Sequence, residues 1–351
     1  MNKEVPKNAI DYSGGQKDAA YTVLGEIVNL LAPFADDVRI IGGWVPSLLY
    51  PDKEHVGSID VDVLLNQLNI RRRDGYTTIQ KVLLNNDYHR HPSQFFTFTK
   101  TIIINSVPYT VDVDFLAGMY GGEDGSISKH VNGVKALPAT GGNFAFEFPP
   151  EDVRIEYQRA DGAKDIGHVK VVSVIPSIVM KVEAMGRGKS KDAYDIYFCL
   201  RYYPGGIRAL ADSFQIYKDR PIIKRMCQKL SEKFASPDYA GPSDIVSFMG
   251  LENAEEIARV RQDAYQRVKY LVDALKTMKE LLSRTLKCPN LLHKLSHSIK
   301  SCIFHYEFEF IHPFDDGNDA GLSSVNSKLP LSDSLNLLLS CYDITAVGPV
   351  H

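Results

Sequence analysis

The chain has 351 residues, 24% of them charged, and a formal net charge of −3. This length exceeds that of a usual single domain, so two or three folding units are expected. The charge excludes bulk attraction to nucleic acid, which would need a local basic patch. Five widely spaced cysteines without a C-x-x-C pair argue against a disulfide framework and a zinc site. No signal-peptide apolar region and no apolar run near 18 residues is present, which predicts a cytoplasmic protein without membrane attachment.

Hydrophobic periodicity predicts a mixed α/β half followed by helices. Helical spacing at 16–35 precedes strand patterns at 38–42, 59–65, 95–104 and 108–116, with a helix at 75–86. The segment 117–150, rich in Gly, Pro and Ser, predicts a loop, and strand patterns return at 153–157 and 169–172. Helices are then predicted at 176–186, 190–202, 205–214, 219–234, 252–285 and 289–311, before an aperiodic tail at 319–351. The fold class is α+β, a mixed sheet followed by an all-helical C-terminal part.

A glycine pair and two aspartates lie at the ends of the first two predicted strands. Gly42 and Gly43 follow the apolar run 38–41, and strand alternation places Ser58, Asp60 and Asp62 on one face. Two adjacent carboxylates repel one another unless a cation lies between them. A glycine pair lets backbone N–H groups approach a phosphate closely. The pattern predicts a divalent-metal site built for a nucleoside triphosphate.

A second acidic pair, Asp112 and Asp114, lies in the predicted strand 108–116. We assign Asp114 as the third carboxylate, a metal ligand or a base towards an incoming hydroxyl, and Asp112 as the less favoured choice. Together with Asp60 and Asp62 it would hold Mg²⁺ or Mn²⁺. The alternative is that each D-x-D motif only solvates the polar face of a surface strand. Four aspartates in strands, where Asp is depleted, favour the site.

Several strings carry a family resemblance: 40–44, 58–62, 111–116, 176–181, 186–197 and 262–268. With these strings the chain resembles the polymerase-β-type nucleotidyltransferases over roughly residues 15–275. More narrowly, it is similar to the AbiEii-type nucleotidyltransferase toxins of bacterial abortive-infection systems. The resemblance implies a nucleotidyltransferase core at 1–173 and a helical domain at 174–275 that completes the active site.

In that family a helical lysine and a following aspartate complete the site, and these match Lys181 and Asp192. Lys181 would neutralise the triphosphate as a point charge, with Arg187 adding local positive charge. The alternatives are a solvated helix face for Lys181 and a helix-dipole partner for Asp192, just after a Ser190 N-cap. The predicted nucleotide-binding residues are Gly42, Gly43, Ser58, Lys181 and Arg187.

Trp44 departs from the family pattern, in which small or polar residues are common after the glycine pair. Its bulk would either narrow the nucleotide pocket or stack against a base.

A second motif lies at 304–318 and resembles the Fic-domain signature H-P-F-x-[D/E]-G-N-G-R-x-x-R. That family transfers AMP or a related group to protein hydroxyls, and His312 matches its base and Asp316 its metal ligand. Asp319, Ala320 and Ser323 stand where the family has a glycine and two phosphate-clamping arginines. We therefore predict a degenerate or truncated Fic-like segment at 276–351, without activity.

The predicted function is Mg²⁺-dependent transfer of a nucleoside monophosphate from ATP, GTP or CTP to an acceptor. By the AbiEii resemblance the acceptor is tRNA, and the protein is the toxin of a toxin–antitoxin or abortive-infection system with a cognate antitoxin. The alternatives are an antibiotic-type transferase acting on a small molecule, and a non-catalytic, decayed fusion of two toxin domains. The basic segments 71–73 and 219–233 are either solvated surface or contacts to nucleic acid.

Overall fold

The protein is represented by a computed structural model, which describes residues 8–12, 14–70, 78–119 and 129–276. Residues up to Leu275 form one compact unit. In chain order its strands are β1 Val38–Ile41, β2 Val61–Leu65, β3 His89–Arg90, β4 Thr97–Ile104, β5 Val107–Met119, β6 Lys129–Val131, β7 Val134–Thr140, β8 Glu151–Gln158 and β9 Lys164–Val171. Its helices are α1 Gly15–Leu30, α2 Val45–Leu49, α3 Gln67–Ile70, α4 Ile79–Leu84, α5 Gly142–Ala145, α6 Val174–Ala184, α7 Ser190–Tyr202, α8 Gly206–Phe214, α9 Pro221–Lys233, α10 Ala240–Met249 and α11 Ala254–Leu275.

The strands form one mixed sheet in the order β3-β4-β5-β2-β1-β9-β8, with β7 joined to β5 and β6 to β7. At its centre β2 runs antiparallel to β1 and parallel to β5. All four residues of β1 are buried, as expected for a central strand covered on both faces. This arrangement brings the end of β1, the start of β2 and the middle of β5 together, where the predicted site residues lie.

The sheet and α1 share one hydrophobic core. Apolar positions of α1 such as Val23, Leu24 and Ile27 are fully buried against the sheet. The α-helix ends at Leu30 instead of reaching residue 35 because Pro33 has no N–H to donate, and a 3₁₀ turn at Ala32–Asp37 follows. This core fixes the central strands that carry the aspartates.

Helices α6 to α11 build a second hydrophobic core. Helix α7 lies at its centre, with a continuous buried stretch from Lys191 to Leu200. Helices α10 and α11 contribute Ile245, Phe248 and Leu271 to the same core. The α+β prediction, with a mixed sheet and a helical C-terminal part, is confirmed by these elements, whereas the polymerase-β assignment stays a prediction.

Two predictions of local structure were wrong. The segment 117–150 contains the end of β5, the β6–β7 hairpin and α5. Its glycines obscured the strands because they occupy tight turns, such as Gly133 at φ +84° between β6 and β7. The region around Gly241 and Pro242, whose residue types predict a loop, forms the first turn of α10, where a proline needs no N–H partner.

Other elements differ in extent. Helix α4, predicted at 75–86, is Ile79–Leu84 and begins where the Thr78 side chain accepts a bond from the Lys81 N–H. The helix predicted at 252–285 is described as Ala254–Leu275. The predicted helix 289–311 and the tail 319–351 lie outside the described residues. Within the described ranges, no helix has the length and apolar character needed to cross a bilayer.

Candidate active site

The glycine pair lies directly against the first predicted carboxylates. Gly42 adopts φ +74°, a left-handed conformation that favours glycine, in the turn Gly42–Trp44 after β1. A Cβ atom at Gly42 would overlap the Asp62 Oδ2 atom. A Cβ atom at Gly43 would lie 2.6 Å from Ser58 Oγ and 2.9 Å from Lys191 Nζ. Only backbone fits between these groups, which makes this turn the tightest part of the site.

Strand register places two of the predicted carboxylates side by side. Asp62 pairs with Ile41 of β1 on one side and with Asp114 of β5 on the other. Directly opposed residues on neighbouring strands project from the same face. Asp60 precedes β2 and accepts a hydrogen bond from the Ser58 hydroxyl, and Thr97 Oγ1 donates to Asp114 Oδ1 at 2.6 Å. The register therefore places Asp62 beside Asp114 on the sheet, with Asp60 just before β2, and the shared metal site of the three stays a prediction.

The carboxylates act on one another electrostatically. Burial first, and then the charges of Asp60 and Asp114, raise the pKa of Asp62 to about 8, while the charges of Lys181 and Lys189 oppose this shift. Burial also raises the pKa of Asp114 to about 6, against the Thr97 hydrogen bond, which lowers it. Buried carboxylates that also repel one another favour a bound cation.

The metal prediction remains a prediction. Among the residues that the structure describes, no three His, Cys, Asp or Glu side chains already form a group that could hold a metal ion. Asp60 instead accepts a hydrogen bond from Ser58, and Asp114 accepts one from Thr97. Their donor chemistry nevertheless fits the expected ion, because Mg²⁺ is held by one or two carboxylate oxygens together with water and phosphate.

Lys181 lies on α6, a helix, as the resemblance implied, and its ammonium group is held by two carboxylates. Its ammonium nitrogen lies 3.0 Å from Asp192 Oδ1 and 2.7 Å from Asp195 Oδ2. Burial disfavours the charged form, but Asp195 and Asp192 outweigh it and raise the pKa of Lys181 well above its ordinary value. Lys181 is therefore a fixed cation, which excludes the solvated-face alternative. Asp192 contacts the lysine from the first turn of α7 and thus acts as a positioning residue.

The centre of this cluster is Asp195, which the sequence favours as a brace for the nearby basic residues and not as a contact to substrate. Asp195 is 1% exposed and accepts bonds from Lys191 at 3.0 Å to each carboxylate oxygen, in addition to Lys181. Burial alone would raise the pKa of Asp195, but the charges of Lys181 and Lys191 outweigh it and hold that pKa well below its usual range. Lys191 in turn lies beside Gly43, so it links Asp195 to the glycine turn. The i, i+4 spacing of Lys191 and Asp195 is the sequence signal for this pair.

His55 completes the buried network. Its Nδ1 accepts from the Gly57 N–H at 3.0 Å, so Nε2 carries the proton and donates to Asp195 Oδ1 at 2.9 Å. Burial lowers the pKa of His55 to about 4, which keeps the ring neutral. The ring also stacks on Tyr194 at 5.2 Å between centroids. No sequence pattern links His55 to Asp195, since the two residues are 140 positions apart.

Three predicted nucleotide contacts have different outcomes. Trp44 is 2% exposed and donates from its indole nitrogen to the Asp60 carbonyl at 2.7 Å, so its ring has no free face for base stacking, whereas the narrowing of a nucleotide pocket stays a prediction. Ser58 is buried and donates to Asp60, so it orients a carboxylate. The Arg187 side chain lies outside what the structure describes.

Ser190 is the first residue of α7, and the N-cap position predicted for it is occupied by Lys189.

The basic helix α9 does not present a free row of cations. Arg225 and Lys229 both pair with Glu183, at 2.8 and 2.9 Å. Arg220 pairs with Glu147, Lys224 with Asp219, and Lys233 with Asp244. These acidic partners neutralise the helix and argue against it as a nucleic-acid contact. The basic run 71–73 lies outside the described residues.

The comparisons with known proteins concern the C-terminal region. Residues 242–320 match the model of the Fic/DOC family, which confirms the Fic-like C-terminal segment. The match includes His312 and Asp316, which lie outside the described residues, and ends at Ala320, where the family's arginines are replaced. It begins within α10, so it also includes α11. No curated protein and no solved structure matches the chain.

Proposed function

We propose that the carboxylate site where β1, β2 and β5 meet is the active site of a Mg²⁺-dependent nucleotidyltransferase. One observation carries this proposal: the left-handed Gly42 turn lies against the Asp62 carboxylate, which is paired in register with Asp114. The backbone N–H groups that would bind phosphate therefore lie close to the carboxylates that would bind a cation. The Fic/DOC match covers none of these carboxylates and is only weakly consistent with the broad class, because such domains are often transferases of nucleoside monophosphate.

The residues of this carboxylate site have different roles in the proposed reaction. Asp60 and Asp62 would hold Mg²⁺, which when bound neutralises the triphosphate and stabilises charge that develops at the transferred phosphorus; of the two roles predicted for Asp114, ligand or base, we favour the base. Lys181, fixed by Asp192 and Asp195, supplies a positive charge that acts on Asp62, and Lys191, whose pKa burial lowers, supplies a second amine beside Gly43. They favour the triphosphate before any reaction begins, and their buried ion pairs keep them oriented.

Asp114 is the best-placed general base. Its pKa of about 6 is close to neutral pH, where a base is both deprotonated and strong enough to accept a proton. The Thr97 hydroxyl donates to Asp114 Oδ1 and so orients this carboxylate. In the proposed reaction, the acceptor hydroxyl loses its proton to Asp114 as its oxygen attacks the α-phosphorus and pyrophosphate leaves.

The acceptor is proposed to be tRNA, from the resemblance to AbiEii-type toxins, with an antitoxin as the cellular partner. The neutralised helix α9 gives this acceptor no support, so the assay must compare acceptors directly. Purified full-length protein is incubated with each labelled NTP, Mg²⁺ and total tRNA, and the products are separated on a gel. A parallel reaction replaces tRNA with aminoglycosides.

Matched variants decide which site does the chemistry. Asp60→Asn and Asp114→Asn are expected to abolish labelling of tRNA, whereas Asp212→Asn, which changes an exposed carboxylate on α8, retains it. His312→Ala also retains it, because the Fic-like segment is not used. Transfer that survives Asp60→Asn would contradict the proposal. Labelling of protein that is lost in His312→Ala would assign the activity to the Fic-like segment.

A further inference from the structure

The two end strands of the main strand order differ in length. Strand β3, at one end, has two residues, whereas β8, at the other, has eight and pairs with β9 in an unbroken register from Glu151 to Gln158. Among the residues that the structure describes, no strand pairs with the outer side of β8. Edge strands are often protected by being short, by a bulge or by a proline, and β8 has no such feature within its eight residues.

Hydrogen-bond alternation decides which backbone groups of β8 face outward. Where β8 meets its turn, the Arg159 N–H donates to the Ala163 carbonyl at 2.8 Å. Hydrogen-bonded pairs recur at every second residue of an antiparallel ladder. The odd-numbered residues of β8 therefore bind β9, and the even-numbered ones, from Asp152 to Gln158, direct their N–H and C=O groups away from it.

These outward backbone groups are free over most of the strand. Within the described part of the chain, the outward N–H and C=O groups of Asp152, Arg154 and Glu156 have no hydrogen-bond partner. At the end of β8 the Gln158 carbonyl is already taken, because the Thr22 hydroxyl of α1 donates to it at 2.9 Å. The open stretch is therefore 152–156, which we call the β8 edge.

The side chains of the β8 edge carry alternating charges. Arg154 and Glu156 lie on one face of the strand, are more than half exposed, and pair with each other at 2.9 Å. Asp152, on the same face, pairs with Lys170 of β9 at 2.6 Å. A row of like charges would repel any second strand of the same sign, whereas alternating charges repel in some registers and attract in others. The charges of this edge therefore select a partner strand and its register.

We propose that two copies of the chain pair through the β8 edge, antiparallel and with Ile155 on the two-fold axis. This register sets Arg154 opposite Glu156 of the second copy, and by symmetry Glu156 opposite its Arg154. It also sets Glu151 opposite Arg159 of the second copy. Moving the axis to a neighbouring residue would set Arg154 opposite Arg154, or Glu156 opposite Glu156, and like charges directly opposite are destabilising. The edge is thus complementary to itself in one register.

The backbone fits the same register. Arg154 and Glu156 both direct N–H and C=O outward, so when opposed they exchange two hydrogen bonds, and the two-fold axis repeats the pair. On the inner face Ile155 meets Ile155, and Val153 meets Tyr157 of the second copy, which continues the apolar side of the sheet. Pairing of this kind joins the two sheets into one. It uses none of the carboxylate site, because β9 lies between β8 and β1.

Sedimentation velocity of the full-length protein over a concentration series measures the dimer. We expect a reversible dimer that Arg154→Glu and Glu156→Arg each weaken by about ten-fold or more, because each variant twice places like charges opposite one another. The double variant Arg154→Glu/Glu156→Arg exchanges the two charges and should restore the dimer. Arg259→Glu, which breaks an exposed ion pair with Glu256 on α11, and Asp60→Asn in the carboxylate site should dimerise as wild type does.

Three results would overturn the proposal. The first is a protein that stays monomeric throughout the series, and the second is a dimer that neither single reversal weakens. The third is a loss that the double variant does not reverse, since it would show that opposed charges in this register are not the cause. Both side chains are exposed, so thermal melts of the single variants should match wild type, and they separate unfolding from dissociation. None of these results depends on the transferase proposal.

Discussion

Replacing Asp62 with asparagine should stabilise the metal-free protein while weakening its response to Mg²⁺. The folded protein raises the pKa of this carboxyl from 3.8 to about 8. A carboxyl whose pKa is higher in the folded state destabilises the fold as pH rises from about 4 to 8, because the unfolded chain ionises first. An asparagine side chain keeps nearly the same shape without the charge, so the penalty disappears.

The size of the gain follows from the same numbers. One unit of pKa shift corresponds to about 1.4 kcal/mol, so the rise of the Asp62 pKa from 3.8 to about 8 limits the stabilisation gained by Asp62→Asn to roughly 6 kcal/mol. Local relaxation and water entry reduce such penalties, so we expect Asp62→Asn to gain about 2–4 kcal/mol in the free energy of unfolding at pH 8. At pH 4 the gain should nearly vanish, since the carboxyl is then neutral in the folded protein and only partly ionised in the unfolded chain.

The assay is urea denaturation in EDTA at pH 4 and pH 8, followed by thermal melts with increasing Mg²⁺. Wild-type protein should gain stability with Mg²⁺ by mass action, and Asp62→Asn should gain much less. Asp212→Asn, on the exposed surface of α8, is the control and should follow wild type throughout. An Asp62→Asn protein no more stable than wild type at pH 8 would refute the argument that these carboxylates repel one another in a buried site.

Three further predictions concern the neighbouring residues. Gly42→Ala should lose the stabilisation by Mg²⁺, because the added Cβ displaces the Asp62 carboxylate. Its control, Gly188→Ala, has φ +76° and nothing within 4 Å, so denaturation experiments should show only the backbone strain of about 1–2 kcal/mol. Equal effects of the two substitutions would count against the close approach of Gly42 to Asp62. Asp195→Asn should lower the free energy of unfolding by about 3–5 kcal/mol because it leaves buried cations uncompensated, and a loss below about 1 kcal/mol would show that the network is solvated. His55, whose pKa falls from 6.5 to about 4 on folding, should make wild-type stability decrease by up to about 3 kcal/mol as pH drops through that window, since the unfolded chain takes up the proton first. His55→Gln should flatten this dependence in a pH series of melts, and an unchanged slope would assign it to other groups.

Much of the fold could be predicted because it depends on local patterns. Alternation along β2 and β5 predicted which aspartates share a face, and register then paired Asp62 with Asp114. Where turns interrupted the pattern, as at 117–150, the prediction failed, because β7 gains its stability from pairing with β5 and not from its own periodicity.

The candidate site likewise contains some features that the sequence predicts and others that only the tertiary structure shows. The glycine turn and the acidic strands could be recognised in the amino-acid order alone, because each is encoded within a few neighbouring residues, whereas Lys181 was implied only by the family resemblance. Three-dimensional packing was needed to show that Trp44 is buried beneath Asp60, that Glu183 neutralises part of the basic helix α9, and that His55 reaches Asp195. These contacts join side chains far apart in the chain, and their energies depend on burial and on partners that no local pattern records.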